Sequence, residues 1–342
     1  MTMLMFVFNF GQRNNSALKD ARQLVGVNPE KAKELAEKIL RTTKSDRTKI
    51  EALTIIINAE MFLEKSRDVI DHCNEAMLLA KKGNYKYQEI KILSMLGSQY
   101  QTMMLNENAK KYLDQAENMM DSIKVLDSLT YVKGNLYNVK GMVFREELNC
   151  EFALKYFDKA LVVYSQQDNN HTFVINRALI NIQKGSCLLS EGQLDNAQKC
   201  FEEVLYSDFD LGYNRYYAEI CLAEIFLKKN NHEEASKLLL KIPIKEIEKE
   251  DSELSSVYYL TMSKYSFSKN DIRAFEWNME KYGTSIQNFN RKRGKMISQL
   301  IYDSDIKNKK TISFNQRVHL FIGLFLAITT FSLLFIAYRR PL

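Results

Sequence analysis

The chain has 342 residues, 46% apolar and 26% charged, with 3 prolines, 12 glycines and a formal net charge of +6. That apolar fraction excludes wholesale disorder, and the scarcity of breakers disfavours a many-stranded sandwich or barrel. The positive balance is too mild to suggest nucleic-acid binding. Much of it sits in Arg291, Lys292, Arg293 and Lys295 and in Lys307, Lys309 and Lys310, ahead of an apolar C-terminus, where lipid headgroups are the simpler partner.

The N-terminus reads MTMLMFVFNFGQ, a short apolar run from Met3 to Phe10 with no basic residue before it. Residues 1–12 are expected to be the remnant of a secretory signal peptide; the alternative is an apolar end packing on the first helix. Asn28 and Pro29 then open NPEKAKELAEKIL, an N-cap followed by proline at the first helical position.

From there the chain repeats. Gly97, Gly141, Gly185 and Ala223 recur at spacings of 44, 44 and 38, and Ala109, Ala153, Ala197 and Ala235 recur with them. Val69, Cys73 and Ala76 mark a degenerate earlier unit, and Ser252–Ser268 with Asp271–Tyr282 a last one without small-residue markers. Each unit reads as two antiparallel helices whose small residues allow close approach. One hairpin cannot bury its own face, so the units must stack. A stripe of Ile286, Phe289, Met296, Ile297, Leu300 and Ile301 follows, at the spacing of one helix face. It predicts a linker helix over 283–317, either a transmitter of motion or a plain spacer.

Residues Val318 to Tyr338 contain no Asp, Glu, Lys or Arg, and 13 of these 21 are Leu, Ile, Val or Phe. As a helix they would reach ~32 Å, matching a hydrocarbon core of roughly 30 Å. A transmembrane helix is expected over 318–338, with a short basic tail over 339–342.

Catalytic signatures are missing. His72, His171, His232 and His319 are isolated, and no metal, phosphate-loop or nucleophile motif occurs. The sequence predicts no enzyme, no cofactor and no metal. The five cysteines, Cys73, Cys150, Cys187, Cys200 and Cys221, form no CxxC pair. They read as small apolar side chains, with a slight lean against an oxidising compartment. Trp277, the single tryptophan, reads as a core residue.

The small residue at position eight, the aromatic at eleven (Tyr100, Phe144), the alanine at twenty and the large residue at twenty-four (Leu113, Phe157, Phe201) resemble the tetratricopeptide repeat. The resemblance covers 13–282 and implies an all-α solenoid of about six to seven helical hairpins. Array, long helix and single span in this order resemble the membrane-anchored tetratricopeptide regulators of the Bacteroidota. In those a signal peptide precedes periplasmic repeats, and a cytoplasmic helix-turn-helix domain follows the span. Here the sequence stops at Leu342 without that domain, so no nucleic-acid binding is carried over. The family implies a peptide or protein partner in a concave groove lined by first-helix positions two, five, nine, twelve and thirteen. These map to Lys91, Ser94, Ser98 and Gln101 in one unit, Asn135, Asn138, Met142 and Arg145 in the next, and Ile182, Ser186 and Leu189 in the third. Asn and Gln amides would pair with peptide backbone and Met142, Ile182 and Leu189 would hold apolar side chains. The alternative is a solvated groove that only spaces the ends.

The expected role is therefore the sensor or scaffold part of a signalling or transcription-regulatory system in a bacterial inner membrane, with the repeats periplasmic. The alternative is a tail-anchored cytosolic adaptor for assembling a membrane complex. Lys307, Lys309, Lys310 and Arg317 before the span, against Arg339 and Arg340 after it, favour that alternative under the positive-inside rule.

Overall fold

The computed structural model describes residues 16–123, 129–165 and 171–338; beyond Tyr302, side chains are described only at Arg317, Phe321 and Ile322. The expected signal remnant (1–12) and basic tail (339–342) lie outside these residues. Two units are present, residues 1–293 and 294–342.

The first unit is built from helical pairs. A short helix over 16–24 (α1) precedes α2 (Pro29–Thr42), then come α3 (Asp46–Phe62) with α4 (Ser66–Lys82), α5 (Lys86–Thr102) with α6 (Asn106–Asp121), and α7 (Thr130–Glu147) with α8 (Cys150–Ser165). The series continues with α9 (His171–Ser190) and α10 (Leu194–Leu205), α11 (Tyr213–Lys228) and α12 (His232–Leu239), a short α13 (Ile244–Glu250), then α14 (Ser252–Ser268) and α15 (Ile272–Tyr338). Each pair packs on itself and on the next, and successive first helices α3, α5, α7, α9, α11 and α14 touch in a row. This row is the inner layer; the second helices form the outer one.

The six second-helix markers, Ala32, Val69, Ala109, Ala153, Ala197 and Ala235, are all completely buried. The first-helix glycines work differently from the expectation. A Cβ on Gly97 would lie 2.6 Å from Leu113, one on Gly141 2.5 Å from the Phe157 ring and one on Gly185 2.8 Å from the Phe201 ring. Each glycine is thus a socket for the large residue of its own hairpin, and the alanines only keep the helices close enough for the fit.

The turn inside five of the hairpins repeats too, α7–α8 being different, with Leu148 at φ −114°. Glu64, Met104, Gly192, Asn230 and Asn270 all have positive φ, from 54 to 75°. In each case the next residue's N–H returns to a carbonyl five residues back, as in Lys65 to Glu60 (2.9 Å) and Gln193 to Leu188 (2.8 Å). This closure satisfies the last carbonyls of the first helix. At the start of α2 the expected cap forms: Asn28 Oδ1 accepts from the Lys31 N–H at 3.0 Å.

Two readings are corrected. Cys150 and Cys187 are not separate apolar side chains but a disulfide, with Cα atoms 5.2 Å apart, within the usual range for a bridge. It staples the start of α8 to α9. Wide spacing hid it, because the chain folds back through α8 and α9 across a separation of 37 positions. Trp277 is not core: it is 52% exposed.

The second unit is the continuation of α15. The last repeat helix, the linker and the expected span form one helix, Ile272–Tyr338, rather than separate pieces. Gly283 and Gly294 do not interrupt it, and nothing lies within 4 Å of a Cβ built on either. Among the described residues no helix is long and apolar enough to cross a membrane. The stretch 318–338 is helical in backbone, but apart from Phe321 and Ile322 its side chains are outside the description.

Candidate functional site

The inner layer of first helices carries the predicted lining, and the structure sorts those residues into three groups. The first is a polar ladder between neighbouring units. Asn135 Nδ2 donates to Ser98 Oγ at 3.4 Å, and Gln101 Nε2 donates to Glu146 Oε1 at 3.0 Å, both joining α5 to α7. The Arg145 guanidinium donates to Gln183 Oε1, joining α7 to α9. Further along, Lys264 pairs with Glu224 at 2.6 Å between α14 and α11. Gln183, Glu224 and Lys264 are rungs that the sequence reading did not single out. No shared repeat position announces them, since Gln183 stands two residues before the Gly185 marker and Glu224 one after Ala223.

The second group is buried polar atoms with nothing to bond. Ser94 Oγ, Asn138 Oδ1 and Glu146 Oε2 have no partner among the described residues. Ser94 and Asn138 occupy the same position in adjacent units and each is only 3% exposed. Buried oxygens of this kind are rare in folded proteins, and each calls for a physical reason. Nearby Lys91 is half-buried; burial, and secondarily the charge of Arg22, pull its ammonium down to about 8 against a weaker pull upward from Glu51.

The third group does not serve as predicted. Ile182 and Leu189 belong to the packed cluster around Phe201 and Ala218, so they are core and not sockets for a partner. Met142 packs partly against the Phe157 cluster. Ser186 turns its hydroxyl back to the Ile182 carbonyl at 2.8 Å. The apolar side of the groove is therefore consumed by inter-unit packing, and the polar units α5 and α7 remain.

The chain also folds back on this region. Lys292 in α15 reaches Glu64, in the turn of the α3–α4 hairpin, at 3.4 Å, and the Glu250 carbonyl at 3.5 Å. Arg293 meets Met104 in the next turn while its guanidinium lies over the Phe289 ring at 4.6 Å. Away from the inner layer, a cavity of about 500 Å³ opens between α8, α9 and α10 beside Arg177, Asn181 and Glu203, and includes none of the predicted residues.

The histidines are placed as follows. His72 Nδ1 bonds the fully buried Glu60 at 2.8 Å, and Lys33 bonds the same carboxylate at 2.7 Å. His232 begins α12 and meets Ser268 Oγ at 3.0 Å. Among the described residues no three His, Cys, Asp or Glu side chains gather as a metal site.

No family model matches the chain. Its fold is similar to that of NprR in complex with its cognate peptide NprX: TM-score 0.54, 16% identity, 84% of this chain and 87% of that one. The apo form of the quorum sensor NprR from B. thuringiensis matches with TM-score 0.54 at 15% identity, covering 83% of this chain and 87% of that one. The fold is a tetratricopeptide-type helical repeat. Identity this low carries the architecture and not the site, so the lining must be argued from its own residues.

Proposed function

We propose that this chain is a non-enzymatic, membrane-anchored solenoid that captures a peptide or protein segment along α5 and α7, as the sensor or scaffold part of a signalling or transcription-regulatory system. The observation that carries the reading is the set of unpartnered buried oxygens, Ser94 Oγ, Asn138 Oδ1 and Glu146 Oε2. They sit on an inner face otherwise closed by hydrogen bonds. A peptide backbone offers N–H donors at the right chemistry for such acceptors. The NprR fold, solved with a peptide bound, supports the plan.

The anchor is the charge-free stretch 318–338, whose described side chains Phe321 and Ile322 are exposed. The disulfide between Cys150 and Cys187 supports placing the array on the oxidising side, since such bonds persist outside the reducing cytoplasm. The rival placement, a cytosolic tail-anchored adaptor, rests on the basic residues Lys307, Lys309, Lys310 and Arg317 before the stretch.

The test combines two measurements on cells expressing the full chain. Photo-crosslinkers at Ser98 and Thr102 should trap a partner, whereas one at exposed Val162 on outer helix α8 should not. A C-terminal reporter active only in the cytoplasm should light up, and Cys150 and Cys187 should resist alkylation until reduced. Crosslinks only from the outer face would remove the groove reading; freely alkylated cysteines with a dark reporter would favour the adaptor.

A further inference from the structure

A second site lies at the end of the array. A cavity of about 470 Å³ opens between α13, α14 and the first turns of α15, with Tyr258, Tyr259, Tyr265, Trp277 and Asn278 in its walls. Trp277, half-exposed, meets Tyr259 edge-on at 5.7 Å, and Tyr259 meets Tyr258 edge-on at 5.3 Å. An exposed tryptophan is unusual on a surface otherwise rich in charge, and four aromatic rings around one opening form a platform for another flat ring.

The polar content of the wall narrows the ligand. Asn278 is 3% exposed; its amide nitrogen donates to the Ala274 carbonyl at 2.7 Å and to Ser266 Oγ at 3.2 Å. Its Oδ1 has no partner among the described residues. The two amide-nitrogen bonds fix which way the side chain faces, so what is missing is a donor. A cation is disfavoured, because Lys281 already lies over the Trp277 ring at 5.6 Å and Lys269 over Tyr265 at 5.9 Å. An anion would face the bare oxygen. A saccharide needs several free hydrogen-bonding groups, whereas Asp271 caps α15 through the Ala274 N–H, Ser266 bonds the Met262 carbonyl and Lys269 lies over Tyr265, which leaves Asn278 Oδ1 as the buried acceptor of the wall still unmet. What fits is a flat apolar ring with one N–H.

We propose that this cavity binds an indole ring, with the tyrosines and Trp277 holding its faces and edges and Asn278 Oδ1 accepting its N–H. The ring comes either as a free indole or as a tryptophan side chain of a partner, and this site stands independently of the groove on α5 and α7.

The experiment is fluorine NMR on the full chain in nanodiscs, with empty nanodiscs as the blank for ring that partitions into lipid. Three probes are compared: 5-fluoroindole, 5-fluorobenzofuran, which keeps the shape but lacks the N–H, and N-acetyl-5-fluorotryptophanamide. The indole should bind about tenfold more tightly than the benzofuran, the effect of leaving a buried acceptor unmet. Asn278→Leu should erase that preference, and Trp277→Ala should weaken both probes. Tighter binding of the tryptophanamide assigns the ring to a partner chain, and tighter binding of the free ring to a small molecule. Equal affinity for indole and benzofuran in the wild type, indole binding indifferent to Trp277→Ala, or displacement of the indole by glucose would each overturn the proposal. The wild-type comparison decides even where Asn278→Leu disturbs the fold.

Discussion

Replacing Gly141 by leucine attacks the contact that spaces the array. A Cβ there would sit 2.5, 2.6 and 3.0 Å from three carbons of the Phe157 ring, and Phe157 is completely buried. Even the first added carbon does not fit, so the penalty lies near the upper end of the roughly 1–3 kcal/mol seen for overpacking. Better helix propensity than glycine returns about 0.8 kcal/mol, leaving a loss of about 2 kcal/mol. Phe157→Ala alone should lose roughly 3–5 kcal/mol through the cavity it leaves. In the double variant the leucine fills that cavity, so the two losses should not add; a coupling of about 2 kcal/mol is expected. Hydrogen exchange of peptides from α7 and α8 reads local opening directly. Gly141→Leu should speed exchange there about thirtyfold, and Phe157→Ala in that background should add far less than it does in the wild type. Strictly additive effects would refute the socket. So would equal responses to Gly141→Leu and to Gly283→Leu, since nothing lies within 4 Å of a Cβ on Gly283.

Other outcomes follow from single groups. Reducing the bridge between Cys150 and Cys187, or replacing both by serine, should destabilise this part of the array by about 4 kcal/mol from the 37-residue separation, read as a lower thermal midpoint under reductant. His72 is raised above 6.5 chiefly by its bond to buried Glu60. The stabilisation is therefore complete below pH 6.5 and fades as pH rises through the folded value; His72→Gln should flatten that slope in urea titrations from pH 5.5 to 8.5, and identical slopes would contradict it. Lys91 behaves oppositely: with its folded value near 8 and the ordinary value 10.5, stability should climb between those pH values, and Lys91→Met should remove the climb. Asn138→Ala with Arg145→Ala should weaken partner capture by roughly 1–3 kcal/mol. It should also lower stability measurably, because Asn138 is buried and Arg145 bonds Gln183.

Periodic features were legible because helical hairpins impose fixed spacings. The small-residue markers, the Asn28 cap and the limits of α14 follow from helix geometry and side-chain volume alone, and all three appear in the structure. The chain order of array, long helix and apolar stretch is likewise written in composition. Decisions that depend on which unit faces which were not. Position-five and position-twelve residues face the groove in a generic repeat, yet here Ile182 and Leu189 are absorbed into the core between α9 and α11, because neighbouring first helices approach closely enough to cover them. That Ser94 and Asn138 are each 3% exposed, with an oxygen unpartnered among the described residues, is likewise not written in their own repeat position. Cys150 and Cys187 look unrelated along the chain and meet only when α8 and α9 stack. The wall around Trp277 needs three helices at once, so no local pattern announces it. Sequence determined the repeat unit, since that is set by contacts within some forty residues. Tertiary structure decided the sites, since each is assembled from side chains on two or three different helices.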